Sequence, residues 1–197
     1  MATRIVQPPS EGWNHTTHYF PLIAAQIPSE SRRILDVGCG EGSLCRFLLT
    51  PGRSLTGLDQ DARVLPASNE ISYRLGSGQA LAWPDQSFDA VTIVMTLHHL
   101  DLEVALAEAR RVLAPGGVLV ILGMSRSSGW RDLPLEMRDV LAHRHHSRGK
   151  VVWEPDTVKA EAVLTWSQEK KRLQAALPGV TYRRLPMWRY LATWRRD

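Results

Sequence analysis

The order of apolar runs and amphipathic stretches along these 197 residues predicts a doubly wound α/β domain. Three observations carry that expectation. Apolar runs of strand length alternate with helical periodicity from residue 33 to residue 123. A glycine-rich turn, Gly38-Cys39-Gly40-Glu41-Gly42, joins the first run to the first helix and leaves backbone bare enough for a ligand to lie against it. Two closing runs, 180–185 and 188–193, are separated only by Pro186-Met187, and so short a link forces antiparallel pairing. The expected sheet has seven strands, all parallel except the last, with helices on both faces.

Residues 1–29 precede the sheet. Trp13-Asn14-His15-Thr16-Thr17-His18-Tyr19-Phe20 is dense in aromatic and imidazole groups, and Leu22, Ile23 and Ile27 after Pro21 predict a short amphipathic helix. Strands are expected at 33–37, 54–58, 71–75, 88–95 and 118–123, with helices at 43–49, 61–67, 79–82 and 101–113. The last helix is the best defined. Asp101 caps it, Glu103 complements its positive end, Arg110 and Arg111 its negative end, and Pro115-Gly116-Gly117 stops it. Beyond Ser125 the alternation breaks, and residues 131–146 read as an irregular or helical insertion. Thr165-Trp166-Ser167-Gln168 carries a capping-box pattern that opens a helix running to Leu177, ahead of Pro178-Gly179.

Composition narrows the class. The chain is 44% hydrophobic, ordinary for a globular protein, and no apolar stretch is long enough to span a bilayer. Residues 1–11 lack a basic segment followed by an apolar core, so no signal peptide is expected. Cys39 and Cys45 form no CxxC pattern and no disulfide framework, which fits a cytoplasmic protein. The net charge of +4 leaves room for an anionic partner, but the basic residues are mixed with acids over most of the chain and so modest an excess reads first as solvated surface. Trp13, Trp130, Trp153 and Trp188 lie outside the central motifs and are candidates to line a pocket, although core packing is the first reading for any one of them.

The glycine turn departs from the dinucleotide fingerprint, because Ser43 stands where its third glycine would be. Asp36 and Glu41 put negative charge beside the turn, which suits a pyrophosphate poorly and a cation well. S-adenosylmethionine carries a sulfonium and an ammonium. A second strand, Leu55-Thr56-Gly57-Leu58-Asp59-Gln60, ends about 20 residues on in a carboxylate able to accept both hydroxyl protons of a ribose. Then follow Trp83-Pro84-Asp85-Gln86-Ser87-Phe88-Asp89-Ala90-Val91, Leu97-His98-His99-Leu100 and Arg111-Val112-Leu113-Ala114-Pro115-Gly116-Gly117-Val118-Leu119. In order and spacing this series, over roughly 34–123, resembles the class I S-adenosylmethionine-dependent methyltransferases of the type 11 group.

The resemblance implies a Rossmann-like fold, S-adenosylmethionine as cofactor and S-adenosylhomocysteine as product. It divides the chain into an N-terminal cap (1–29) covering the cofactor, a cofactor-binding core (30–124), an insertion or lid (125–164) and a closing helix with β-hairpin (165–197). Asp36 is implied to orient the methionyl ammonium, directly or through water, with Gly38 and Gly40 allowing close approach. Asp59 is implied to hold the ribose and Gln60 to flank the adenine, with Met95 among the cofactor contacts. Gly76-Ser77-Gly78-Gln79 corresponds to the adenine-reading loop. Ser77 stands where many relatives carry aspartate, so its contact is weaker, and a backbone amide or Gln79 is the substitute.

His98 and His99 follow the fourth strand at the ligand-bearing edge, where an imidazole can deprotonate an acceptor near neutral pH. A histidine pair recurs at this place in the family across many acceptors, so at least one reads as structural. Tyr19, His15 and His18 are rival bases. Trp13, His15 and Trp130 are expected substrate contacts, in a pocket between the N-terminal segment and residues 131–146. His143, His145 and His146 resemble a metal cluster at first sight, but nothing completes a tetrahedral set and Arg144 and Arg148 repel a cation, so no metal is expected.

The leading expectation is methyl transfer by in-line displacement to O, N or C of a small aromatic or heterocyclic metabolite, by a monomer or homodimer without a membrane segment. An RNA methyltransferase is the alternative enzyme, from Lys170-Lys171-Arg172, Arg183-Arg184 and Arg195-Arg196. The absence of an Asn-Pro-Pro-Tyr-like tetrapeptide after the fourth strand argues against it. A non-catalytic S-adenosylmethionine binder is the third reading, with Ser77 as its only support.

Overall fold

The computed structural model describes residues 12–153 and 161–197. The leader reading of 1–11 and the part of the insertion at 154–160 lie outside the described residues. Seven strands form one sheet: β1 Arg33–Val37, β2 Ser54–Asp59, β3 Ser72–Leu75, β4 Phe88–Val94, β5 Leu113–Gly123, β6 Thr181–Leu185 and β7 Arg189–Arg195. Their order is β3-β2-β1-β4-β5-β7-β6. Pairing is parallel throughout except that β7 runs antiparallel to both β5 and β6. The chain winds outward from β1 to β3, then returns to β4 on the other side of β1. That reversal opens a crevice at the carboxyl ends of the strands.

Helices α1 Phe20–Ala24 and α2 Ser43–Leu48 cover one face, and α3 Leu102–Val112 and α5 Trp166–Ala176 the other. The alternation of side chains along each strand explains both layers. Ile34, Ala90, Val118, Val120 and Leu122 pack with Phe20, Ile23, Leu44 and Leu48. Leu35, Val91, Ile93, Leu119 and Ile121 pack with Leu106, Ala109 and Leu173. Because β1, β4 and β5 are buried on both faces, they read as nearly continuous apolar runs. Helix α4, Leu133–Ser147, fills the expected insertion as a regular helix, and two-residue strands Gly12–Trp13 and Val151–Val152 pair beside it.

Asp101 caps α3 by accepting from the Val104 amide at 3.0 Å, and both halves of the Thr165–Gln168 capping box are formed. Four expectations need correction. Residues 62–64 form a turn and the rest of 61–67 is irregular, because the Asp61 carboxylate accepts from the Arg63 amide and Asp59 accepts from the Asp61 amide. Such local bonds offer the backbone an alternative to helix. Residues 79–82 are likewise not helical, with the Leu81 amide donating to Glu108 at 2.7 Å. Strand β5 begins at Leu113, since Gly116 and Gly117 bond to the Arg196 backbone and extend the ladder. The closing link has three residues, Pro186-Met187-Trp188, with Leu185 opposite Arg189. Met187 and Trp188 adopt φ of 56° and 57°, held there by the buried Met187 side chain and by the Trp188 indole donating to Glu136.

The basic clusters serve the fold. Arg172 pairs with Glu103, Arg184 pairs with Asp132 and Glu136, and Arg196 donates to the Arg110 and Arg111 carbonyls. Arg183-Arg184 and Arg195-Arg196 thus each commit one member to internal contacts rather than to an outward phosphate-binding face.

Candidate cofactor and acceptor site

A cavity of about 510 Å³ opens at the carboxyl ends of β1 to β4. Each strand delivers its last residues to it: Asp36 and Val37 from β1, Leu58 and Asp59 from β2, Gly76 after β3, and Val94 with Met95 from β4. At the β1 turn Gly38 has φ +73°, and a Cβ there would lie 2.1 Å from Thr96 Oγ1, so only glycine fits. Thr96 Oγ1 donates to the Gly38 carbonyl at 3.2 Å and ties the two loops together. Met95 carries φ 54°, a strained value for a side chain of its size, at the point where β4 turns toward His98 and His99.

Asp36 is buried. Register places it opposite Thr92, whose hydroxyl donates to Oδ1 at 2.7 Å, while the Cys45 thiol donates to Oδ2 at 3.7 Å. Burial raises its pKa to about 6, against the pull of these two bonds, and the nearby Asp59 adds to the rise. None of these neighbours is a cation. Asp59 accepts from the Gly40 amide at 2.8 Å and from the Asp61 amide at 3.0 Å, so it joins the ends of β1 and β2 while keeping lone pairs for a ligand. A buried carboxylate without a cation, a bare glycine turn and a second carboxylate form a cradle whose chemistry fits S-adenosylmethionine. Asp36 would hold its ammonium and Asp59 its ribose.

The far end of the cavity has a different character. Asn14, His15, Thr16 and Thr17 line it from the N-terminal segment, His98, His99 and Leu100 from the loop after β4, and Met124, Trp153, Glu161 and Arg189 from beyond β5. Burial, then the His99 ring and Arg189, lower the His98 pKa to about 4, so His98 is neutral at physiological pH. Its ring lies 4.2 Å from that of His99.

Of the residues singled out in the sequence, Asp36, Gly38, Gly40, Asp59, Gln60, Gly78, Met95, His98, His99 and His15 meet at this cavity. Five do not. Tyr19 is buried, donates to the Pro186 carbonyl at 2.7 Å and has its pKa pushed up to about 12 by burial, which leaves no accessible phenolate. Trp13 is buried against His15, His18 and His143, with Lys150 over its ring. Trp130 points into solvent, 76% exposed. Ser77 and Gln79 turn their side chains to local bonds, Ser77 Oγ accepting from the Gln79 amide and Gln79 Oε1 from the Asp101 amide. The expected wall at 131–146 is also replaced, since no α4 residue lines the cavity and Trp153 and Glu161 stand there instead.

Sequence reasoning missed Met124, Glu161 and Arg189. A signal for Arg189 existed. Antiparallel pairing sets Tyr190 opposite Gly123, so β7 brings its first residue to the edge where its parallel neighbours bring their last. Among the described residues no cluster of three or more His, Cys, Asp or Glu is arranged to hold a metal ion, and no helix is long and apolar enough to cross a membrane.

Comparison with known proteins agrees with this geometry. The methyltransferase-domain family matches residues 35–121. An uncharacterized methyltransferase of Mycobacterium tuberculosis is 31% identical over 191 residues, which cover 93% of this chain and 96% of that protein. A demethylmenaquinone methyltransferase of Tropheryma whipplei is 37% identical over 100 residues, 47% of this chain and 41% of its own. The crystal structure of an S-adenosylmethionine-dependent methyltransferase from Mesorhizobium loti shares the fold with a TM-score of 0.60 at 20% identity, covering 90% of this chain and 97% of that one. With an acidic glycine-turn cradle at the sheet's switch point and a full-length relative of this kind, the chain belongs to the class I S-adenosylmethionine-dependent methyltransferases.

Proposed function

We propose that this enzyme methylates O, N or C of a small aromatic or heterocyclic acceptor. One observation carries the reading: a single cavity runs from the acidic cradle to an end lined by His98, His99, Trp153, Met124 and Arg189. When bound, the cofactor supplies a methyl group on a sulfonium, already activated for in-line displacement. Asp36 holds the ammonium end and Asp59 the ribose, which fixes where the methyl group points. His98, uncharged at neutral pH, accepts a hydrogen bond from the acceptor's O–H or N–H and turns its lone pair toward the methyl group. Trp153 and Met124 offer flat, apolar walls that seat a ring and exclude water. Arg189 adds a positive charge that favours the ionised form of an acidic acceptor hydroxyl.

The test is release of S-adenosylhomocysteine from S-adenosylmethionine over a panel of phenols, ring amines and ring carbons. Demethylmenaquinone-type rings go first, after the relative bearing that name. Turnover with at least one ring acceptor is expected. A chain that binds S-adenosylhomocysteine yet methylates only RNA or a protein would overturn the acceptor class.

A further inference from the structure

Helix α4 is built inside out. Three of its polar side chains face the domain: Glu136 accepts from the Trp188 indole at 2.7 Å and from Arg184 at 3.2 Å. Asp139, fully buried, pairs with Arg138 at 2.8 Å and lies 3.6 Å from Arg184. His143 shares a 2.7 Å hydrogen bond with His15. Three of its large apolar side chains face outward, whereas Leu135 and Val140 are half-buried. Leu133, Met137 and Leu141, spaced four residues apart on one face, are 62%, 61% and 57% exposed. Trp130, in the turn just before the helix, continues the same ridge. A helix on a water-facing surface ordinarily shows the opposite pattern.

Within 126–152 the exposed charges all have one sign. The exposed charged residues of 126–152 are Arg126, Arg131, Arg144, Arg148 and Lys150. The acids of the same stretch are withdrawn, Asp132 to Ser128 and Arg184, Glu136 to Arg184 and Trp188, and Asp139 to Arg138. Arg144 and Arg148 follow Leu141 on its own face, three and seven residues on. Apolar side chains flanked by basic ones, with no exposed acid, complement a surface that is greasy within and anionic at its boundary. A second copy meeting this face would bring arginines against arginines without a carboxylate between them.

We propose that the α4 face docks on an anionic lipid bilayer. Trp130, Leu133, Met137 and Leu141 enter the headgroup–acyl boundary, while Arg144 and Arg148 meet lipid phosphates. The attachment is peripheral and does not depend on which acceptor is methylated.

The experiment is sedimentation of the full chain with vesicles of equal parts phosphatidylglycerol and phosphatidylcholine, against vesicles of phosphatidylcholine alone. Binding to the anionic vesicles is expected, weakened about tenfold or more on the neutral ones and by added salt. The double variant Met137→Ser with Leu141→Ser should lose about tenfold or more in affinity. Arg144→Glu with Arg148→Glu should lose a similar factor. The altered side chains are exposed, so melting temperature and S-adenosylhomocysteine binding should stay at wild-type values in both. Failure of the wild-type chain to sediment with anionic vesicles at low ionic strength overturns the proposal, as does unchanged binding by both double variants. A dimer in ultracentrifugation that Met137→Ser with Leu141→Ser dissociates would overturn it in favour of a second copy on this face.

Discussion

Asp36 destabilises the empty protein at neutral pH. Its native pKa of about 6 exceeds the 3.8 of an unperturbed aspartate, so between those values the native state binds more protons than the unfolded chain. The Asp36 contribution to stability is therefore greatest below the unfolded value, falls as pH rises through this window and levels off above it, a loss on the order of 3 kcal/mol. Asp36→Asn removes the buried charge. Thermal melts at pH 7 should show the ligand-free variant more stable by roughly 1–3 kcal/mol, while calorimetry shows S-adenosylhomocysteine bound more weakly. In the wild type, affinity should decline as pH falls below 6, approaching tenfold per unit. A dissociation constant flat from pH 5 to 8 would contradict this account. His98 gives a second residue-scale expectation. With its pKa near 4 it contributes no break to the pH–rate profile around 6.5. His98→Ala should lower kcat by about tenfold or more with little change in cofactor affinity.

Among the elements, α4 and the turn before it direct three carboxylates to one side chain of β6. Arg184 donates to Asp132 at 3.1 Å and to Glu136 at 3.2 Å, lies 3.6 Å from Asp139, and stacks 4.0 Å above the Trp166 ring. Arg184→Ala would leave three carboxylates facing one another with little solvent. The cost is expected at about 1.5–3 kcal/mol from lost charged hydrogen bonds, because Asp139 keeps Arg138, Glu136 the Trp188 indole and Asp132 the Ser128 amide. Hydrogen exchange should rise across 133–147, ahead of the sheet. Arg184→Lys should fall between the two, since it keeps the charge and loses the planar fork. Equal protection of α4 in all three proteins would show that apolar packing, not this network, seats the helix.

At the scale of the whole molecule, cofactor binding should tighten the fold. S-adenosylhomocysteine at about one hundred times its dissociation constant contributes about 2.7 kcal/mol by mass action, a rise of roughly 5–10 °C in melting temperature for a chain of this size. Asp59→Ala should abolish most of that rise. It removes a ligand acceptor and also the carboxylate that bonds the Gly40 and Asp61 amides, so the ends of β1 and β2 lose their tie. Asp59→Asn keeps one acceptor oxygen and should retain part of the shift. A full shift in Asp59→Ala would remove this residue from the cradle.

Sequence alone determined what local physics repeats along the chain. Apolar runs located the seven strands because β1, β4 and β5 are buried on both faces, and the short link at Pro186-Met187 required β7 to turn back. The turn at Gly38 and the carboxylates Asp36 and Asp59 were legible because a strand end and its loop lie within a few residues of each other. The helices expected at 61–67 and 79–82 failed where side-chain bonds to nearby amides outweighed propensity. Only the tertiary structure decided the acceptor end. Arg189 and Met124 meet there through antiparallel pairing of β7 with β5, Tyr19 is spent on the Pro186 carbonyl 167 residues away, and Trp130 faces outward because α4 turns its acids inward to Arg184. Those placements depend on contacts between segments far apart in sequence, and periodicity, which records only which face of an element is apolar, carries no information about what that face will meet.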